Sequence, residues 1–295
     1  MKRLFVFAAV AASLAAVSCQ KTYVIDQVNT PIGFSANLGK QTKAIMDGTT
    51  YDTGHTFGVF AYALTDNKSW ETDAATTDAV MNNVEIGYMT DTWKAKNGTK
   101  YYWPNAIETS LNFFMYSPYD NLKTFASVSP TDGLKISNYE HSNTNHMGTD
   151  AVDILVASVP DKKYADAGTT PGTVDFSFKH KMTQVVFVVK KDASIDAATV
   201  KLNSLDLLNI KNKGTYTEKT DSWNIASGES DKTNYQITNS DAEVVASTGI
   251  TLEGATMLPQ QLSYDNQQIK IVYSITGENF ADETVTKTFN LTSIL

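Results

Sequence analysis

Hydrophobic residues in this chain recur at every second position, and that period restricts it to β structure. Ile32, Phe34 and Ala36 alternate with Gly33 and Ser35. Val174, Phe176 and Phe178 alternate with Asp175, Ser177 and Lys179. Ile269, Ile271, Tyr273 and Ile275 alternate with residues that are polar except for Val272. Successive side chains of a strand point to opposite faces, so each run gathers its apolar set on one face, as a half-buried antiparallel strand does. Residues 57–64, 111–116 and 185–189 are apolar on both faces, as expected of central strands between two layers. Turn pairs separate the runs, among them Asp47-Gly48, Asn97-Gly98, Asp132-Gly133, Lys213-Gly214 and Thr276-Gly277. Beyond the N-terminal segment there is no helical pattern of three or more turns. The expected fold class is all-β, packed as antiparallel sandwiches.

The first residues set the compartment. Lys2 and Arg3 precede an apolar stretch from Leu4 to Val17, broken only by Ser13, and Ser18-Cys19 follows at once. That is the build of a secretory signal over residues 1–18, because a spanning helix needs roughly 20 apolar residues. Cys19 is the only cysteine and stands where a bacterial lipoprotein signal would be cut and a diacylglyceryl group attached, although Ala16 occupies a position where leucine is usual. The expectation is a lipid-anchored, exported protein with no internal disulfide.

After residue 18, 277 residues remain, enough for two domains. Hydrophobic residues make up 42% of the chain and charged ones 19%, which supplies a sizeable core. The formal net charge of −8 becomes −10 without Lys2 and Arg3, and Arg3 is the only arginine. An acidic surface without guanidinium groups excludes nucleic acid as a partner. Residues 161–172 are polar and turn-rich, and the expected domain junction lies there, giving an N-terminal domain over 19–165 and a C-terminal one over 172–295.

Chemistry is sparse. His141 and His146 share a polar loop, but they lack the thiols or helical spacing of a metal site, and no metal or cofactor is expected. His180 sits in a strand pattern, as a structural histidine would. There is no Gly-x-Ser-x-Gly elbow and no glycine-rich phosphate loop, so no catalytic residue is nominated and the protein is not read as an enzyme. Trp93 and Trp103 are expected in the core. Trp70 and Trp223, flanked by polar residues, are expected to be the more exposed pair and the candidate contacts for a glycan.

Several passages, taken in order, resemble the fimbrillins of Bacteroidales type V pili. They are Ile32-Gly33-Phe34-Ser35-Ala36, then Thr42-Lys43-Ala44, then Phe57-Gly58-Val59-Phe60-Ala61-Tyr62. Tyr101-Tyr102-Trp103-Pro104 leads to Leu111 through Pro118, then Asp153 through Ala157. Phe176 through Met182 and Leu258-Pro259-Gln260 complete the set. The resemblance implies two transthyretin-like β-sandwich domains, a lipoprotein precursor carried to the outer membrane, and a trypsin-like cut after a basic residue, here Lys43 before Ala44. It also implies loss of the first strand, with Ile32, Phe34 and Ala36 as its inward set and Leu38 extending it. The vacated groove would be filled by a strand from another pilus subunit. Two departures stand out: arginine is common where Lys43 stands, and the sequence stops at Leu295 within a strand-like run, as either a truncated C-terminal domain or a subunit lacking a terminal strand would. The expected function is a cell-surface pilus subunit serving adhesion to a host or bacterial receptor. The alternative is a surface lipoprotein that binds glycans and does not polymerise.

Overall fold

Alternation in the sequence becomes alternation in burial. Along the Gly33–Leu38 strand, Phe34, Ala36 and Leu38 are buried while Gly33, Ser35 and Asn37 are not, and Thr173–His180 repeats the pattern with Val174, Phe176, Phe178 and His180 inside. The computed structural model describes residues 27–39, 49–65, 68–73, 79–104, 109–148, 151–166, 172–238, 240–244, 248–262, 266–277 and 280–293. Among these, the α-helices Trp70–Asp73 and Tyr119–Leu122 are single turns, and strands dominate.

Seven strands form a closed barrel in the order Leu155–Lys162, Thr173–His180, Gly33–Leu38, Thr92–Ala95, Ala79–Met89, Phe57–Leu64 and Ser110–Ser117. Phe57–Leu64 and Ser110–Ser117 are almost wholly buried, as their two-faced apolar character requires. Inside the barrel, Phe57, Phe113, Phe176, Phe178 and Trp93 pack with Ile32, Phe34, Ala36 and Leu38. Outside it, Phe60, Phe114 and Tyr116 meet Leu134, Ile136, Tyr139 and Tyr216, which belong to a four-stranded sheet of Ala126–Ser129, Gly133–Glu140, Lys213–Thr217 and Ser222–Ile225. One face of the barrel therefore forms a sandwich with that sheet.

The C-terminal part is a second packed unit. Lys232–Thr238, Thr199–Lys211, Gln268–Gly277 and Phe280–Asn290 form one sheet, with Ala242–Glu243 also on Thr199–Lys211. Leu205, Leu207, Tyr235 and Ile237 of that sheet pack on Ala255 and Met257. The latter lie on Ala255–Met257, which pairs with Thr183–Val185.

Three expectations change. Residues 161–172 do not separate two units, because they link the neighbouring barrel strands Leu155–Lys162 and Thr173–His180, which pair at Leu155 and His180. The chain leaves the barrel after His180, and Lys213–Ile225 returns to pair with Gly133–Glu140, so the units interleave along the sequence. The strand carrying Phe34 and Ala36, called the first strand below although Gln27–Pro31 precedes it and pairs with Tyr102–Pro104, is not antiparallel throughout: Gly33–Leu38 runs parallel to Thr173–His180 over six register pairs. Residues 185–189 do not lie between two layers, since Val186 and Val188 are exposed.

Candidate functional site

The first strand carries the site that the sequence singles out. Ile32, Phe34, Ala36 and Leu38 are buried side by side, confirming a single inward face. Phe34 is set edge-on to Phe57, Phe113 and Phe176, with ring centroids 5.9, 6.1 and 6.5 Å away. Such T-shaped contacts place the positive ring edge on a neighbouring π face.

The strand is attached very unequally on its two sides. Towards Thr173–His180 the parallel ladder runs from Gly33 to Leu38. Towards Thr92–Ala95 it has one register pair, Phe34 with Trp93. Its ends are tied separately: the Ile32 amide donates to Tyr101 O at 2.8 Å, Leu38 N to Thr49 O at 3.0 Å, and Gly39 N to Phe178 O at 2.8 Å. At the start of the ladder, Gly33 N donates to Gly172 O at 2.9 Å, and the Trp103 indole donates to the same oxygen at 2.9 Å. Gly172 has φ +83°, and a Cβ there would come within 2.8 Å of Thr30 Cγ2, so only glycine fits this corner. Beside the sparse side lies a cleft of about 540 Å³, bounded by Phe34, Met81, Ile86, Trp93 and Lys100.

Cys19, Lys43 and Ala44 lie outside the described residues. The tryptophan expectation is corrected: Trp70 is buried, with its ring centroid 5.0 Å from Tyr62 and 4.9 Å from Phe114. Trp223 is half-buried against Tyr139 and Tyr216, and its indole donates to Lys181 O at 2.7 Å. The two therefore do not form an exposed pair. Trp93 and Trp103 are both buried, as expected.

The histidines are structural in their contacts. His180 Nδ1 lies 2.6 Å from Asp153 Oδ2, with both side chains nearly inaccessible. His141 Nε2 lies 3.0 Å from Thr256 O, and His146 Nε2 lies 3.0 Å from Gln236 O, so the polar loop they share is fastened to the C-terminal unit. Burial holds His141 down at about 4, opposed by the Thr256 carbonyl and reinforced by His146. Among the described residues, no group of three or more His, Cys, Asp or Glu is placed to hold a metal ion, and no helix is long and apolar enough to cross a membrane.

The inequality of the first strand's two sides is what sequence reading missed. Thr92–Ala95 is only four residues long and carries no distinctive pattern, yet it forms the other wall of the seam.

The fold and site together define an all-β protein of packed sheets in which the Gly33–Leu38 strand completes a barrel through one continuous ladder on one side and scattered contacts on the other. A family described as fimbrillin-like matches residues 42–293, and the chain belongs to that family. Among solved structures, the chain is similar to one described as a cell adhesion protein from Bacteroides ovatus, at 15% identity and a TM-score of 0.51, covering 88% of this chain and 85% of that one. A fimbrial protein from the same species matches at 15% identity and a TM-score of 0.39, covering 88% of this chain but 47% of that longer protein. A third, described as a cell adhesion protein from Bacteroides eggerthii, matches at 10% identity and a TM-score of 0.47, covering 90% of this chain and 79% of that one. No curated protein sequence matches.

Proposed function

We propose that this protein is a structural subunit of a cell-surface pilus that serves adhesion. It is exported as a lipoprotein anchored in the outer membrane through Cys19. Cleavage between Lys43 and Ala44 then allows a strand from a neighbouring subunit to replace Gly33–Leu38. Membership of the fimbrillin-like family supports the pilus part of this reading, and the likeness in fold to a protein described as a cell adhesion protein is in keeping with it. The reading gives the protein no catalytic role.

The observation that carries it is the unequal attachment of the Gly33–Leu38 strand on its two sides. Burying Ile32, Phe34 and Leu38 stabilises the closed barrel by roughly 1.5–3 kcal/mol each. A cut at Lys43 leaves that burial intact, so the severed strand stays in place until a competitor supplies the same ladder and fills the same pockets. The competitor meets a site held on its far side only by scattered contacts: the Phe34–Trp93 register pair, the Asn37–Thr50 bridge, and the Ile32 and Leu38 amides on Tyr101 O and Thr49 O. Removal exposes the Thr173–His180 edge and the faces of Phe57, Phe113 and Phe176, a template for strand addition.

Limited digestion of the purified protein with a lysine-specific protease, followed by size-exclusion chromatography and electron microscopy, tests the reading. High-order, detergent-resistant oligomers should form from the wild type and not from Lys43→Ala. Complete cleavage at Lys43 that leaves only monomers would overturn assembly by strand replacement.

A further inference from the structure

A second cleft, of about 420 Å³, opens on the outer face of the barrel, away from the first strand's inward side chains. We propose that it binds an uncharged saccharide unit. The site does not depend on polymerisation and stands whether or not the subunit exchanges strands.

The cleft has a rigid apolar wall. Phe114 and Ser158 are register partners on adjacent antiparallel strands, so their side chains leave the same face, and both line the cleft. Trp70 closes the wall from its short helix, packed 4.9 Å from the Phe114 ring. Trp70 is 9% exposed, so it offers a ligand an edge rather than a full face.

Fixed polar groups oppose that wall. Glu218 is held in orientation because its Oε2 accepts the Leu134 amide at 2.8 Å. Gly133, with φ +65°, keeps room for that carboxylate, since a Cβ there would lie 2.7 Å from Oε2. Asp161 adopts φ +48°, a left-handed conformation that Asp and Asn tolerate better than most residues other than glycine, and its amide donates to Asn112 Oδ1 at 2.9 Å. Behind Asp161, Asn112 is fully buried, and its Nδ2 has no hydrogen-bond partner among the described residues. The hydrogen bond to buried Asn112 therefore fixes the backbone of Asp161 where it lines the cleft.

The chemistry of the lining selects the ligand. Carboxylates accept hydrogen bonds, the Lys219 ammonium donates them, and the serine hydroxyl does both, while the aromatic wall offers an apolar surface. A pyranose matches this set, with an apolar C–H face and hydroxyls that both donate and accept. The carboxylates Glu71, Asp161 and Glu218 outnumber Lys219, which opposes sulfated or sialylated sugars, while Lys219 itself opposes a cationic peptide. The volume falls within the range of roughly 300–1,000 Å³ typical of small-molecule sites.

The test is calorimetry and saturation-transfer NMR on the whole mature chain. Probes are uncharged trisaccharides of glucose, galactose, mannose and N-acetylglucosamine at millimolar concentration, with a sulfated disaccharide and trilysine as charged controls. Saturable binding of at least one uncharged probe is expected. Ser158→Trp, which fills the cleft from an exposed position, should weaken it about tenfold or more, the factor that accompanies loss of one good contact. Asp161→Asn tolerates the left-handed backbone and removes only the charge, so it should weaken binding with an unchanged melting curve, which guards against misfolding. No binding by any uncharged probe, binding insensitive to both substitutions, or binding of a charged probe alone would overturn the proposal.

Discussion

Phe34 and Trp93 form the one register pair that joins the first strand to Thr92–Ala95, and the barrel closes through it. Everything proposed about assembly depends on the contrast between that contact and the six-pair ladder on the strand's other side.

Truncating Phe34 should loosen the strand without a cut. Phe→Ala in a packed core costs about 3–5 kcal/mol, and Phe34 meets three other rings. Urea unfolding should show that loss for Phe34→Ala, while Ser35→Ala, on the outward side, should stay within about 0.5 kcal/mol of the wild type.

Gly58 marks a different constraint. The Tyr116 ring lies over its Cα, so a Cβ at position 58 would collide with Cζ, Cε1 and Oη. Gly58→Ala should cost about 1–3 kcal/mol as the ring is displaced. The Gly58→Ala, Tyr116→Ala double variant should be less destabilised than the sum of the two single changes, because the collision exists only when both groups are present.

Acid should weaken the attachment of the polar loop to the C-terminal unit. The fold keeps His141 neutral down to about pH 4, mainly through burial, whereas an unfolded chain protonates it near pH 6.5. Between those values the unfolded state binds more protons, so stability falls as the pH drops through that window, by on the order of 3 kcal/mol at its lower end. Chemical denaturation across pH 4–7 should show this slope for the wild type, and His141→Gln should flatten it.

Cys19 should carry the lipid. Metabolic labelling with a radioactive fatty acid should mark the wild type in intact cells and leave Cys19→Ala unlabelled; equal labelling of both would remove the proposed anchor.

Sequence periodicity reported which face of each strand is buried, but not which strand lies beside it. The alternation at Ile32, Phe34 and Ala36 and that at Val174, Phe176 and Phe178 each defined an inward face, and both are inward in the structure. Nothing in either run showed that they lie next to each other in parallel, because pairing across some 140 positions is fixed by the whole barrel and not by local pattern. The polar residues 161–172 resembled a linker because a connection within a barrel and one between domains share the same turn chemistry. Trp70 resembled a surface residue because Ser69, Glu71 and Thr72 surround it, whereas the single-turn helix directs its indole onto Tyr62 and Phe114. The outer cleft was invisible for a related reason: Phe114, Ser158 and Glu218 come from three separate segments.

A reversible lock on the first strand addresses assembly most directly. Ser35 and Asp175 are register partners on the outward side of the parallel ladder, so a cysteine at each can form a disulfide without disturbing the core. In a Cys19→Ser background, Ser35→Cys with Asp175→Cys should be cut by the protease at Lys43 yet remain monomeric while oxidised, and should assemble into detergent-resistant polymers once a reductant opens the lock. Equal polymerisation of the oxidised and reduced forms, measured by size-exclusion chromatography with light scattering, would contradict departure of the Gly33–Leu38 strand.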